Sequence, residues 1–125
     1  MIRLGLGLML ALGAPAAAWS DDGARGRALF ETCTACHSRT PGQAGMAGPN
    51  LADLAGRLVG SDPDFDYSPA LKAARARGLA WDAARIEAFL ADPDEMFPGL
   101  WMSPPGVRRA EDRAAIAAYL MGAEP

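Results

Sequence analysis

Apolar residues recur at helical spacing in four stretches of this chain, and between them the pattern gives way to loops rich in glycine and proline. In 22–36, Ala24, Ala28, Leu29 and Cys33 fall close to one helical face. Ser68-Pro69 reads as a helix start, with a short helix over 70–77 stopped by Gly78. Asp82 is placed to cap a third helix whose face is Ile86, Phe89 and Leu90, and Asp92-Pro93 ends it. The last periodic stretch is 110–121, with Glu111 and Asp112 in the first turn, where the helix dipole favours acid, and a face of Ile116, Tyr119 and Leu120. That face is expected to cross the first helix near Gly26 and Phe30, with Gly26 either admitting a close backbone approach or serving as a simple turn glycine. No segment carries the β-branched runs of a strand, so the expected class is all-α, with four or five helices.

The first twenty residues form a separate unit. Arg3 precedes an apolar run over 4–14, and Ala16-Ala17-Ala18 supplies a small-residue cleavage pattern. The run is shorter than the roughly 20 residues that span a bilayer, so it reads as a cleaved secretory leader over 1–18 rather than an anchor. The mature domain is then 19–125, starting at Trp19 and expected in the periplasm, without stable membrane insertion. With half of its 125 residues hydrophobic, the chain suits one domain. Loss of Arg3 lowers the basic count from 12 to 11 against 15 acidic residues, a side-chain balance of −4. Nucleic acid is therefore excluded as a partner, since such binding needs a basic patch.

Both cysteines and the only histidine lie in Cys33-Thr34-Ala35-Cys36-His37. A disulfide is one reading in an oxidising compartment, inert or exchanging thiols, but thioredoxin-type motifs sit in a βαβ setting that this chain lacks. A structural zinc site needs four ligands, and three nitrogen or sulfur ligands cannot complete one. C-x-x-C-H is the attachment signature of c-type haem: two thiols add across the vinyl groups on one porphyrin edge, and the next residue lies beneath the iron. With His37 as the proximal ligand no second histidine remains for the other face. A thioether is the remaining soft ligand, and methionine opposite histidine raises the reduction potential.

The mature chain offers Met46, Met96, Met102 and Met121. Met46 is nine residues from His37, too near to reach round the haem edge comfortably. Met121 ends the apolar stripe of the last helix, where packing is the ordinary role. Met96 and Met102 flank Phe97-Pro98-Gly99, a turn that leaves the following residues in an irregular loop able to aim a side chain. Met102 lies inside that loop and is favoured, with Met96 second.

The segments GRALFETCTACH, GPNLADLAGR, FDYSPALK, GLAW, FPGLWM and RAAIAAYL follow one another as in class I c-type cytochromes. The chain resembles the mitochondrial and bacterial soluble cytochromes c over about 26–120. The resemblance implies the small monohaem cytochrome c fold, with long loops wrapping one covalently bound haem c and its iron. It implies Met102 as iron ligand and the Pro49 carbonyl as acceptor from His37, the kind of bond that orients a ligating imidazole. It places Arg57, Tyr67 and Trp81 near the haem propionates, which need donors in a dry site. Each also has an ordinary reading: a surface arginine, a half-buried tyrosine, a core tryptophan.

An iron with both axial positions filled has no open site, so the expected function is a soluble one-electron carrier, not an enzyme, meeting donor and acceptor proteins transiently, as a monomer. The alternative is a haem enzyme or gas-binding protein in which the methionine leaves the iron; no distal histidine is present to support its acid–base work. Where the family commonly has Pro-Gly-Thr-Lys-Met, this chain has Pro98-Gly99-Leu100-Trp101-Met102. Trp101 reads either as an apolar docking anchor or as a ring folded onto the haem. Loops this long would count against an ordinary domain. Here the haem supplies the missing core, and the haem-free chain is expected to be poorly folded.

Overall fold

The computed structural model describes residues 17–102 and 106–123, with side chains from Asp21 onward. Among them the architecture is all-helical: α1 (Ala17–Phe30), a single 3-10 turn (Glu31–Cys33), α2 (Pro69–Ala76), α3 (Ala83–Ala91), α4 (Pro93–Met96) and α5 (Ala110–Leu120). The expected leader lies outside the described residues except for Ala17 and Ala18, which open α1.

Local chemistry accounts for most of these boundaries. The Ser68 hydroxyl accepts from the Leu71 amide at 3.5 Å with Pro69 at the first helical position, so α2 begins where the pair predicts. The Asp82 carboxylate accepts from the Arg85 amide at 2.7 Å and starts α3. Asp92-Pro93 does end α3, but it also starts α4: the Asp92 carboxylate accepts from the Glu95 amide at 3.0 Å, and Pro93 is preset for a first turn. The first helix ends at Phe30, earlier than the expected 36, because the cysteine segment tightens into a 3-10 turn and then a chain reversal.

Gly23, Gly26 and Phe30 are buried on one side of α1. Glycine inside a helix costs about 1 kcal/mol relative to alanine, and packing explains its presence here. A Cβ on Gly26 would stand 2.0 Å from the Ala115 carbonyl oxygen and 2.7 Å from Tyr119 Cβ, so α1 and α5 cross in backbone contact. Phe30 then meets the Tyr119 ring at 5.6 Å and shares an apolar cluster with Leu54, Ile86, Ile116, Ala117 and Leu120. The expected crossing of the first and last helices is therefore present, and Gly26 makes the close approach.

A second cluster forms around Val59, Ala74 and Phe97, with Leu71, Phe89, Met96 and Leu100 packed against it. Trp81 packs on both clusters, edge-on to Phe89 at 5.4 Å and to Phe97 at 6.4 Å. No strand is present among the described residues, although an antiparallel bridge pairs Leu58 with Ala80. Trp81 N–H donates to the Arg57 carbonyl at 2.9 Å and Val59 N–H to that of Leu79 at 2.8 Å, which fixes the long middle loop against the start of α3.

Candidate haem-binding site

The cysteine segment leaves α1 as a tight turn. The amides of Cys36 and His37 both donate to the Cys33 carbonyl, at 3.1 and 3.0 Å, so the chain doubles back and His37 points inward, 8 % exposed. Neither cysteine is in a disulfide; Cys33 is partly buried and Cys36 exposed. Burial pushes the Cys33 thiol up, against a hydrogen bond with Thr32 that lowers it. A thiol-exchange site needs a thiol pushed the other way, toward thiolate, so this environment does not suit a redox dithiol.

The imidazole is held from the far side of the same loop. His37 Nδ1 is 2.8 Å from the Pro49 carbonyl oxygen. A carbonyl only accepts, so the contact puts a proton on Nδ1, and in the neutral ring the lone pair is then on Nε2, the tautomer a metal requires. Gly48 makes that contact possible: its amide donates to the Cys36 carbonyl at 2.8 Å, and a Cβ there would meet His37 Cε1 at 2.6 Å and Nδ1 at 2.8 Å. Asn50, next in the chain, locks the loop with its carboxamide, donating to the carbonyls of Thr40 at 2.7 Å and Gln43 at 3.0 Å. Arg39 is pinned to α5 by its guanidinium, 4.1 Å from the Tyr119 ring centroid.

Arg57 and Tyr67 form a neighbouring polar group. The Arg57 guanidinium donates to the Ala52 carbonyl at 2.8 Å and to that of Asn50 at 2.5 Å, while its Nε is buried without a partner. Tyr67 is buried, and its hydroxyl oxygen accepts from the Asp62 amide at 3.1 Å, leaving the phenolic proton to donate elsewhere. Burial holds its ionisation above the usual tyrosine value, so that proton stays in place through neutral pH. The Asp62 carboxylate accepts from the Asn50 amide at 2.8 Å, tying this group to the His37 loop. Trp81 joins through its backbone pairing with Arg57.

Four methionines meet different surroundings. The Met46 sulfur lies 3.7 Å from Gln43 Nε2 within its own loop, Met121 packs on the first cluster, and Met96 on the second. Met102 lines a cavity of about 500 Å3 with Leu100, Gly106 and the α3–α4 junction. Neighbours at 103–105, where Pro104 and Pro105 fall, lie outside the described residues.

A covalently held haem fits these residues on three counts: a buried imidazole whose Nδ1 is engaged by the Pro49 carbonyl, leaving Nε2 for a metal, an unpartnered buried Arg57 N–H suited to a carboxylate, and two apolar clusters joined by Trp81. Among the described residues no group of three or more His, Cys, Asp or Glu could hold a bare metal ion. Of the residues expected from the sequence, the structure brings His37 against Pro49 and links Arg57 to Trp81 by backbone pairing and to Tyr67 through Asn50 and Asp62. Gly48, Arg39, Asn50 and Asp62, which the sequence did not single out, pack or bond around them; for Gly48 and Asn50 the signal was their place beside Pro49.

Fold and site together define a class I c-type cytochrome. The chain belongs to the cytochrome c family, whose model, described as Cytochrome c, matches residues 23–124. It is 38 % identical over 100 residues to a cytochrome c2 of Agrobacterium tumefaciens, covering 80 % of this chain and 90 % of that one. It is 37 % identical over 102 residues to the cytochrome c of Chlamydomonas reinhardtii, covering 81 % and 88 %. Among solved structures it is similar to cytochrome c2 from Rhodospirillum centenum, with a TM-score of 0.72 and 31 % identity over 83 % of this chain and 99 % of that one. Cytochrome cH from Methylobacterium extorquens gives a TM-score of 0.70 at 35 % identity, covering 79 % and 96 %. Proteins of this family carry one covalently attached haem c with its iron and act in electron transfer.

Proposed function

We propose that this protein is an exported, periplasmic carrier of single electrons, with haem attached at Cys33 and Cys36 and ligated by His37 and Met102. The observation that carries the reading is the Pro49–His37 contact of 2.8 Å, which fixes both the tautomer and the plane of the imidazole. When bound, the haem supplies an iron that changes oxidation state by one electron. The protein's residues do the rest. His37 presents Nε2 from a buried, bonded position. Arg57 and Tyr67 offer an N–H and an O–H to the propionates, and Trp81 closes the apolar wall between the clusters. Met102 is supported as sixth ligand by the engagement of the other three methionines. With both axial positions taken, no coordination site is left for a substrate, which favours a carrier over an enzyme.

Export rests on the leader read over 1–18, and no helix among the described residues is long and apolar enough to cross a membrane. The test is the intact mass and visible spectrum of the protein purified from a host that matures c-type cytochromes. The expected product starts at Trp19, carries one haem, and shows in its oxidised form a methionine–iron charge-transfer band that Met102→Ala abolishes. A chain with free thiols and no haem overturns the reading. So does rapid binding of carbon monoxide by the reduced wild type, which would mean a labile sixth ligand.

A further inference from the structure

Large apolar side chains are exposed at only two places among the described residues, Leu58 at 41 % and Trp101 at 60 %. Trp101 directly precedes Met102, and while its neighbour Leu100 packs into the second cluster, the indole is not part of either cluster. An exposed tryptophan next to an iron ligand puts the largest contact surface of any side chain beside the site where electrons leave.

The charge around it is negative. The turn of α4 exposes Asp92, Asp94 and Glu95. It is fastened to the tryptophan loop by Gly99 N–H, which donates to the Asp94 carboxylate at 3.2 Å. The chain's one lysine, Lys72, is on α2 and paired with Asp66 at 2.7 Å. The next cations along the chain, Arg108 and Arg109, stand before α5, and Arg109 is engaged by Glu111. The whole sequence carries a net charge of −3.

We infer that the electron-transfer face is Trp101 with the acidic turn of α4, and that it docks a redox protein presenting an apolar recess rimmed by arginine or lysine. The inference rests on the carrier reading above and adds the chemistry of the partner. Trp101 fills the recess. Asp94 and Glu95 steer the encounter, which places their effect on the association rate and makes it sensitive to salt.

The test uses the haem-loaded protein, reduced, and two small oxidants of opposite charge: tris(phenanthroline)cobalt(III), a cation with apolar aromatic ligands, and hexacyanoferrate(III), an anion. Stopped-flow rates are taken at rising ionic strength for wild type, Trp101→Ala, Asp94→Asn with Glu95→Gln, and Asp21→Asn with Asp22→Asn on α1 as a control of equal charge change. Asparagine at 94 keeps an oxygen for Gly99. Salt is expected to slow the cation's reaction. The Asp94/Glu95 pair should lower it about tenfold at low salt, within the range of electrostatic steering, with the control nearly unchanged. Trp101→Ala should slow the same oxidant with the midpoint potential unmoved.

Equal losses in the two paired variants overturn the inference, because net charge alone would explain them. A shifted potential in Trp101→Ala that accounts for its slower rate overturns it as well, since the ring would then be acting on the haem. Failure to react with either oxidant overturns the carrier reading itself.

Discussion

Between Cys36 and Arg57 the chain has no regular structure, yet it is bonded at nearly every turn. Gly48 N–H reaches the Cys36 carbonyl, Leu51 N–H that of Ser38, the Asn50 carboxamide spans Thr40 and Gln43, and Arg57 closes onto Asn50 and Ala52. Residues 97–102 and 106–107 on the methionine side are also irregular, but among the described residues their ties are few: Phe97 N–H to Pro93, Gly99 N–H to Asp94, Val107 N–H to Leu90 and the Arg113 guanidinium to the Val107 carbonyl. What holds them is the packing of Phe97 and Leu100 on the second cluster. On the ligation proposed above, the imidazole needs one proton on one nitrogen and a fixed ring plane, which only directed bonds supply. A thioether has no proton to place and tolerates rotation, so apolar packing suffices. The methionine loop is thus the part expected to open first, as a local unfolding event that leaves the His37 loop intact.

The broadest challenge to this contrast removes the haem attachment altogether. Cys33→Ala with Cys36→Ala is expected to lose the haem and most of the helical far-UV circular dichroism, because the two loops would then have no common core to enclose. A native helical spectrum would show instead that hydrogen bonds alone hold the His37 loop. Next in size is Gly48→Ala, whose Cβ at 2.6 Å from His37 Cε1 and 3.0 Å from the Cys36 carbonyl oxygen must displace either the ring or the loop backbone. Chemical denaturation should show a loss of about 3 kcal/mol. Loss of less than a third of that would mean the His37 loop is as adaptable as the methionine loop.

Tyr67→Phe removes a buried acceptor from the Asp62 amide and should cost about 1.5 kcal/mol at neutral pH. Because burial raises the tyrosine's ionisation above its ordinary 10.0, the wild type draws full benefit below that pH and loses it as pH climbs through the raised value. The deficit of the variant should accordingly narrow in alkaline denaturation series; a gap constant with pH would separate the hydroxyl's stability role from its protonation. The smallest effect is expected at Gly99→Ala, where a Cβ meets nothing within 4 Å and only the positive φ of 79° opposes it. A cost of about 1 kcal/mol, a third of that at Gly48, would express the difference between the loops as one ratio.

Helix positions were legible wherever the start is local. Ser68-Pro69 and Asp82 cap the turn immediately following, so two or three residues decide the outcome. The fourth helix was not foreseen because Asp92-Pro93 has two meanings at once, a stop for the preceding helix and a cap with a preset first residue for the next. At the site, C-x-x-C-H shows its chemistry in five consecutive letters, and the Pro49 contact followed from likeness to a family. Asp62 was invisible for a different reason. Its bonds to the Asp64 and Phe65 amides are local, but those that tie it to the site, from the Asn50 amide twelve residues back and from its own amide to the Tyr67 hydroxyl, arise only once the loop has closed. Gly48 shows the same limit: a glycine before proline is common, and the ring it makes room for is eleven residues away in sequence.

The crossing of α1 by α5 at Gly26 bears on the order in which this protein is made. The helix that α1 crosses in backbone contact is encoded about eighty residues later, so a nascent polypeptide can offer Phe30, of its buried cluster, only Leu54 and Ile86 until α5 emerges. During that interval Cys33 and Cys36 sit on an open, unclosed thread. Any enzyme that modifies the two thiols therefore has a window that ends with the arrival of α5, and delaying that helix, not the cysteines, would lengthen it.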